Sequence, residues 1–141
     1  MTAARPLPVP DEQSAPYWQA AAEHTLTMAS CSACGALSLP PDSVCASCAS
    51  TSAGICFTPV SHRGVVRSWT VVRQSFLAGF DDEVPYVLVD VELADQADLR
   101  MVARLVNGTA ADLRLGAGVR VTFEDVAPGV SIPAFTLDET Q

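Results

Sequence analysis

The second half of the chain alternates short apolar runs with turn residues, which is the pattern of β-strands. The predicted strands span residues 55–60, 64–76, 84–93, 99–107, 119–126 and 132–137. Between the fourth and fifth of these, Thr109 and Asp112 form a capping-box-like start and Gly116 a stop, which predicts one short helix. Five or six strands with one inserted helix predict an OB-type barrel, a partly open Greek-key barrel that offers one face to ligands.

The first thirty residues have a different pattern. Residues 1–13 carry prolines at positions 6, 8 and 10 and no hydrophobic periodicity, so they are expected to form a flexible arm. Ser14 as a cap and Pro16 in the first turn predict a helix over residues 14–27, within an N-terminal unit of residues 14–30. Tyr17 and Trp18 are neighbours that cannot both face one core. Either one of them is left for a partner to cover, or both pack on the body of the domain.

Between the helix and the strands, residues 31–48 contain two Cys-x-x-Cys pairs separated by ten residues. Four thiolates, from Cys31, Cys34, Cys45 and Cys48, suit one tetrahedral zinc, and they leave no coordination position for water or substrate. The sequence therefore predicts a structural zinc ribbon over residues 31–52, followed by an OB-fold domain over residues 53–141. The fifth cysteine, Cys56, is expected to be a buried strand residue.

Other readings of the cysteines stay open. Disulfides need an oxidising compartment, whereas the chain opens MTAARPLPVP with no apolar signal segment, so reduced cysteines and a cytoplasmic location are expected. A rubredoxin-type iron site uses the same ligands, and spacing alone does not exclude it. A thioredoxin-like redox pair would lie near a βαβ pattern, which is not seen here.

The two cysteine knuckles differ at one position. Gly35 follows the first pair and suits the bend that a knuckle needs, whereas Ala49 follows the second pair. We therefore expect the second turn to be differently shaped or slightly strained.

Composition narrows the class of protein. The chain has 141 residues, of which 49% are hydrophobic and 17% charged, and its formal net charge is −8. No apolar run approaches the roughly 20 residues that span a bilayer, so a soluble protein is expected. All eight basic residues are arginines, and the acidic balance argues against a nucleic-acid binder, whose affinity would come from clustered Lys and Arg.

No catalytic constellation is evident in the sequence. His24 and His62 lie in no motif with a nucleophile, and the acidic run 81–83 is either a solvated or a contacting loop. Arg67 and Arg73 share one face of a predicted strand, where they are either edge charges paired with carboxylates or contacts for an anionic small molecule.

Helix, ribbon and barrel in this order resemble the zinc-ribbon/OB-fold acyl-CoA-associated proteins, the family known as domain of unknown function 35. The residues that carry the resemblance are Pro16-Tyr17-Trp18, Cys31, Cys34-Gly35, Leu39-Pro40-Pro41, Cys45, Cys48, Gly64, Ser68-Trp69-Thr70-Val71, Gly79-Phe80, Val84-Pro85-Tyr86-Val87, Val91-Glu92-Leu93, Gly116, Phe123-Glu124-Asp125-Val126 and Ile132-Pro133-Ala134-Phe135. Ala46 and Ala49 depart from it, because the family tends towards Pro and Gly there.

The resemblance implies a non-catalytic companion subunit of a thiolase-like enzyme, a lipid-transfer-protein-type aldolase or a hydratase. Such enzymes act on acyl-CoA thioesters, including those of steroid side chains and some polyketide pathways. It implies docking by Tyr17 and Trp18, and it places Arg63, Arg67, Arg73 and Phe80 on the acyl-CoA side. The alternatives are an independent acyl-CoA-binding protein or enzyme, which would use His62 or an acid of the 81–83 run, and a single-stranded nucleic-acid binder.

Overall fold

The computed structural model describes residues 5–138, which form one helix, eight strands and a short 3₁₀ helix. The predicted fold class is confirmed: the chain is mainly β, with an N-terminal helix, a ribbon and a five-stranded barrel. The elements in chain order are α1 (Ala15–Ala22), β1 (Thr27–Cys31), β2 (Leu37–Ser38), β3 (Ile55–Pro59), β4 (Arg63–Val72), β5 (Tyr86–Leu93), β6 (Arg100–Leu105), the 3₁₀ helix (Ala110–Asp112), β7 (Gly118–Ala127) and β8 (Val130–Leu137).

The barrel is closed in the order β4-β5-β6-β8-β7, with β4 returning to β7. All of its strand pairs are antiparallel except β6 with β8. Strand β5 shows why these residues form a barrel: Val87, Val89, Val91 and Leu93 are buried while the residues between them are half-exposed, which is the period-2 pattern of a strand with one face on a core. The interior is filled by side chains such as the fully buried Phe135.

The first predicted strand does not join the barrel. Strand β3 pairs with β1 at five positions, from Thr27 opposite Pro59 to Cys31 opposite Ile55, in a three-stranded sheet of order β2-β1-β3. The apolar pattern located this strand, but such a pattern does not specify the partner strand. The predicted boundary between the ribbon and the OB-fold domain, before residue 53, stays a prediction. By its hydrogen bonds, strand β3 belongs to the sheet of the ribbon.

Helix α1 ends at Ala22, earlier than the predicted residue 27. The reason is a Schellman-type ending, in which Thr25 N–H donates to the Ala20 carbonyl and His24 adopts a left-handed φ of 60°. The Ser14 hydroxyl accepts a hydrogen bond from Asp11 N–H instead of capping the helix, so that detail of the prediction was wrong.

The long strand predicted over residues 64–76 is also shorter in the structure. Strand β4 ends at Val72, and residues 73–85 form a loop that leads to β5.

Among residues 5–138, no helix is long and apolar enough to cross a membrane.

Candidate metal centre and docking groove

The first cysteine knuckle begins where strand β1 ends. Cys31 N–H donates to the Ala36 carbonyl (3.0 Å), and Gly35 N–H donates back to the Cys31 carbonyl (2.7 Å). Gly35 adopts a φ of +77°, a conformation that glycine reaches without steric cost. The tight turn therefore places Cys31 and Cys34 on one side of the loop.

The second knuckle repeats this geometry with alanine in place of glycine. Cys45 N–H donates to the Ser50 carbonyl (3.1 Å), Ala49 N–H donates to the Cys45 carbonyl (2.8 Å), and Ala49 has a φ of +61°. The turn is therefore not differently shaped. Ala49 instead adopts a left-handed conformation, which is unfavourable for a residue with a side chain. This agrees with the other expectation, that the second turn is slightly strained.

The four predicted ligands converge. Their sulfur atoms all lie within 4.8 Å of one another, with Cys31 Sγ 3.9 Å from Cys48 Sγ and Cys34 Sγ 3.6 Å from Cys45 Sγ. Tetrahedral zinc with Zn–S bonds of about 2.3 Å separates its sulfurs by about 3.8 Å, so the arrangement fits this metal. The backbone N–H groups of Cys48 and then Ser47 lower the pKa of the Cys45 thiol to about 6, whereas desolvation and then the neighbouring thiols raise the pKa of Cys48 to about 11, so Cys45 ionises before Cys48.

Cys56 lies on strand β3, as predicted, but it is exposed, so the prediction that it is buried was wrong. The burial pattern of β3 explains this outcome, because only Phe57 of its five residues is even half-buried. Strand β3 is an edge strand of the three-stranded sheet and pairs only with β1 among the described strands, so little of the chain covers it.

The turn between β5 and β6 fastens the ribbon to the barrel. The Gln96 side chain accepts a hydrogen bond from Leu37 N–H (2.8 Å) and donates one to the Leu37 carbonyl (2.9 Å), as a neighbouring strand would. Next to it, the Asp95 carboxylate accepts hydrogen bonds from Ser61 N–H (3.0 Å) and from its hydroxyl (2.8 Å). These contacts fix the orientation of the zinc knuckles relative to the barrel.

A groove of about 690 Å³ runs between helix α1, the turn at residues 39–41 and the outer face of strands β5 and β6. Tyr17 is 7% exposed and belongs to the core, while Trp18 is partly buried and meets the Tyr17 ring edge-on at 5.0 Å. Of the two aromatic neighbours, Trp18 is therefore the one with more surface to offer. The apolar side chains that line the groove include Trp18, Pro41, Phe57, Phe80, Leu88 and Val102.

Part of the groove lining belongs to an ion-pair network that the sequence analysis did not find. Glu83 Oε2 accepts hydrogen bonds from Arg5 (2.7 Å) and from Arg104 (2.6 Å), and Glu124 lies within 4.0 Å of both guanidinium groups. Arg5 also lies 5.5 Å over the Phe80 ring. Because these residues are far apart in the sequence, only the fold brings them together.

Residues 1–4 lie outside the described part, and the flexibility of the N-terminal arm stays a prediction.

The four residues predicted on the acyl-CoA side do not converge on one site. Arg63 begins strand β4 and Arg73 follows its end, so they lie at opposite ends of the strand. Arg67 forms an ion pair with Glu92, and only Phe80 lines the groove. Their role towards acyl-CoA stays a prediction.

Both histidines have structural partners. His62 Nε2 accepts a hydrogen bond from Leu26 N–H (2.9 Å), and His24 Nε2 lies 2.6 Å from Asp125 Oδ1. The Ser131 hydroxyl, followed by His24, lowers the pKa of Asp125. These contacts join the end of helix α1 to the barrel.

A closed four-cysteine ribbon joined to an OB-type barrel defines the class of this protein. The protein-family model of the ChsH2 rubredoxin-like zinc ribbon domain matches residues 18–52. The family model of the ChsH2 C-terminal OB-fold domain matches residues 57–124. Because the two together cover most of the sequence, the chain belongs to the ChsH2 family of zinc-ribbon/OB-fold proteins, as the resemblance implied.

Two relatives extend this comparison. A chain of the solved "Ltp2-ChsH2(DUF35) aldolase" is 26% identical, has a TM-score of 0.78, and matches over 92% of this chain and 98% of its own length. The "Probable enoyl-CoA hydratase alpha subunit" of Thermomonospora curvata is 29% identical over 133 residues, which are 94% of this chain. The present chain spans only 40% of that relative's length.

Proposed function

We propose that this chain is a non-catalytic accessory subunit that binds and supports a thiolase-like or lipid-transfer-protein-type aldolase acting on acyl-CoA thioesters. The observation that carries the proposal is the similarity to a chain of the Ltp2-ChsH2(DUF35) aldolase over 92% of this sequence and nearly all of that chain. A match of this extent includes the helix, the ribbon and the barrel, so it applies to the whole architecture.

The zinc centre has a structural role in this proposal. Four thiolates fill a tetrahedral coordination sphere, so zinc would hold the two knuckles together without activating a water molecule. The Gln96 and Asp95 contacts transmit that rigidity to the barrel. A site of four thiolates also requires reduced cysteines, which supports a cytoplasmic location.

The groove is the proposed docking and entrance surface. Its apolar lining, with Trp18 on one wall and Val102 61% exposed on strand β6, presents hydrophobic area that a protein partner would remove from water. Tyr17 supports Trp18 from within the core. Phe80, which lines the groove next to the Arg5 side chain, would border the acyl-CoA entrance. Arg63, Arg67 and Arg73 stay proposed contacts for acyl-CoA outside the groove.

A hydratase is the second candidate for the partner, favoured by the Thermomonospora relative whose name is that of an enoyl-CoA hydratase subunit. In that relative, 60% of the length lies outside the stretch matched here. The chain would be an accessory subunit with either partner. The reaction that the complex catalyses distinguishes an aldolase or thiolase-like partner from a hydratase.

The test is to co-express the chain with the protein encoded by the neighbouring gene, and to measure the mass of the eluting species and acyl-CoA turnover. We expect a stable complex, turnover by the complex, and none by the chain alone. Val102→Asp should weaken the complex, since it puts a charge on the groove surface, whereas Leu115→Asp is the matched control because Leu115 is 72% exposed outside the groove. Separate elution of the wild-type proteins, or turnover by the purified chain, would contradict the proposal.

A further inference from the structure

The loop between β4 and β5 carries two adjacent apolar side chains that have little contact with the rest of the described chain. Phe76 is 91% exposed and Leu77 61% exposed. Phe76 is the only aromatic residue among the large hydrophobic residues that are exposed within residues 5–138. We call this pair the apolar tip. Such side chains are the kind that contribute most when an interface buries them.

The base of this loop is held in place, so the apolar tip projects from a fixed support. Glu83 is hydrogen-bonded to both Arg5 and Arg104. Gly79 packs so closely on the N-terminal arm that a Cβ atom there would clash with the backbone of Arg5.

The tip itself has local order. The Ser75 hydroxyl accepts a hydrogen bond from Leu77 N–H (3.2 Å) and lies 3.3 Å from the Leu77 carbonyl. A segment ordered before binding loses less conformational entropy on association.

We propose that the apolar tip inserts into an apolar socket on the enzyme partner, and that basic side chains line the rim of this socket. The charge of the rim follows from Asp81 and Asp82, which are both exposed in the same loop, and from the net charge of −8 on the chain. The inference rests on the proposed function, because the partner is the enzyme subunit named there, and it adds a second contact outside the groove.

Other occupants fit the loop less well. A projecting tip does not enclose a small molecule, which binds in concave sites. A second copy of the chain would bring the same acidic loop and the same excess of negative charge. An anionic membrane surface would repel Asp81 and Asp82.

The test measures the dissociation constant of the complex that the chain forms with the co-expressed protein of the neighbouring gene. The double substitution Phe76→Ser and Leu77→Ser should weaken binding more than about tenfold. The melting temperature should not change, because both side chains are exposed. Leu115→Ser, at a residue that is also strongly exposed, is the matched control and should stay within about twofold. Asp81→Asn with Asp82→Asn should slow association and reduce its dependence on salt.

The outcomes separate this inference from the proposed function. If the wild-type chain binds and the tip variant binds equally well, the tip inference fails while the accessory role stands. If the wild-type chain does not bind, both fail. Two further results would overturn the inference alone: self-association of the chain that the tip substitutions abolish, and tip-dependent flotation with phosphatidylcholine/phosphatidylglycerol vesicles.

Discussion

Replacing Ala49 with glycine should tighten zinc binding. Ala49 holds the left-handed conformation of the second knuckle, with φ +61°, at the position where Gly35 serves the first knuckle with φ +77°. The two residues make equivalent hydrogen bonds, of 2.8 Å to the Cys45 carbonyl and 2.7 Å to the Cys31 carbonyl. Ala49 is exposed, so losing its methyl group leaves no cavity.

The expected change in zinc-binding free energy is the difference between two opposing contributions. A side chain in the left-handed region costs about 1–2 kcal/mol. Glycine loses roughly 0.5–1 kcal/mol more than alanine in backbone entropy when the chain folds. The net gain is about 0.5–1 kcal/mol, and because metal affinity and ribbon folding are coupled, this corresponds to about two- to fivefold tighter zinc binding.

Competition with a chromophoric chelator at fixed pH measures this change. The matched control is Gly35→Ala: a Cβ there meets no atom within 4 Å, so only the backbone conformation opposes it, and we expect weaker binding by a similar factor. The double exchange should be close to neutral. Weaker binding by Ala49→Gly, or an unchanged affinity for Gly35→Ala, would refute the reasoning.

Three further predictions concern the ribbon and the barrel. Cys45→Ser should lose the metal and unfold the ribbon, as seen by elemental analysis and circular dichroism, whereas Cys56→Ser should retain one zinc per chain; iron in the wild-type protein would overturn the metal assignment. Gln96→Ala removes both side-chain hydrogen bonds to Leu37 and should cost about 1–2 kcal/mol, with faster exchange of the Leu37 amide; unchanged exchange would contradict it. Asp98 N–H and then Arg67 lower the pKa of Glu92, so its contribution to stability is present above the unfolded pKa of about 4.3 and is lost as pH falls through the lower folded value. Glu92→Gln should therefore flatten the acid side of the stability curve in urea titrations, and an unaltered slope would contradict the lowered pKa of Glu92.

The sequence by itself determined the features that depend on local spacing. Two Cys-x-x-Cys pairs are compatible with few structures other than paired knuckles, and the four sulfurs do meet within 4.8 Å. Short apolar runs bounded by turn residues located all five barrel strands, because strand-forming residues and turn residues are local signals that do not depend on the neighbouring strand.

Only the tertiary structure decided what depends on neighbours distant in the sequence. The pairing of β3 with the ribbon left Cys56 exposed, although its sequence context is apolar. Packing of the core chose Tyr17 over Trp18 for burial. Arg5, Glu83 and Arg104 each look like solvated surface charges until the fold places them together. The physical reason is that spacing and periodicity describe a residue's own strand or turn, whereas burial and ion pairing are set by which other segments fold against it.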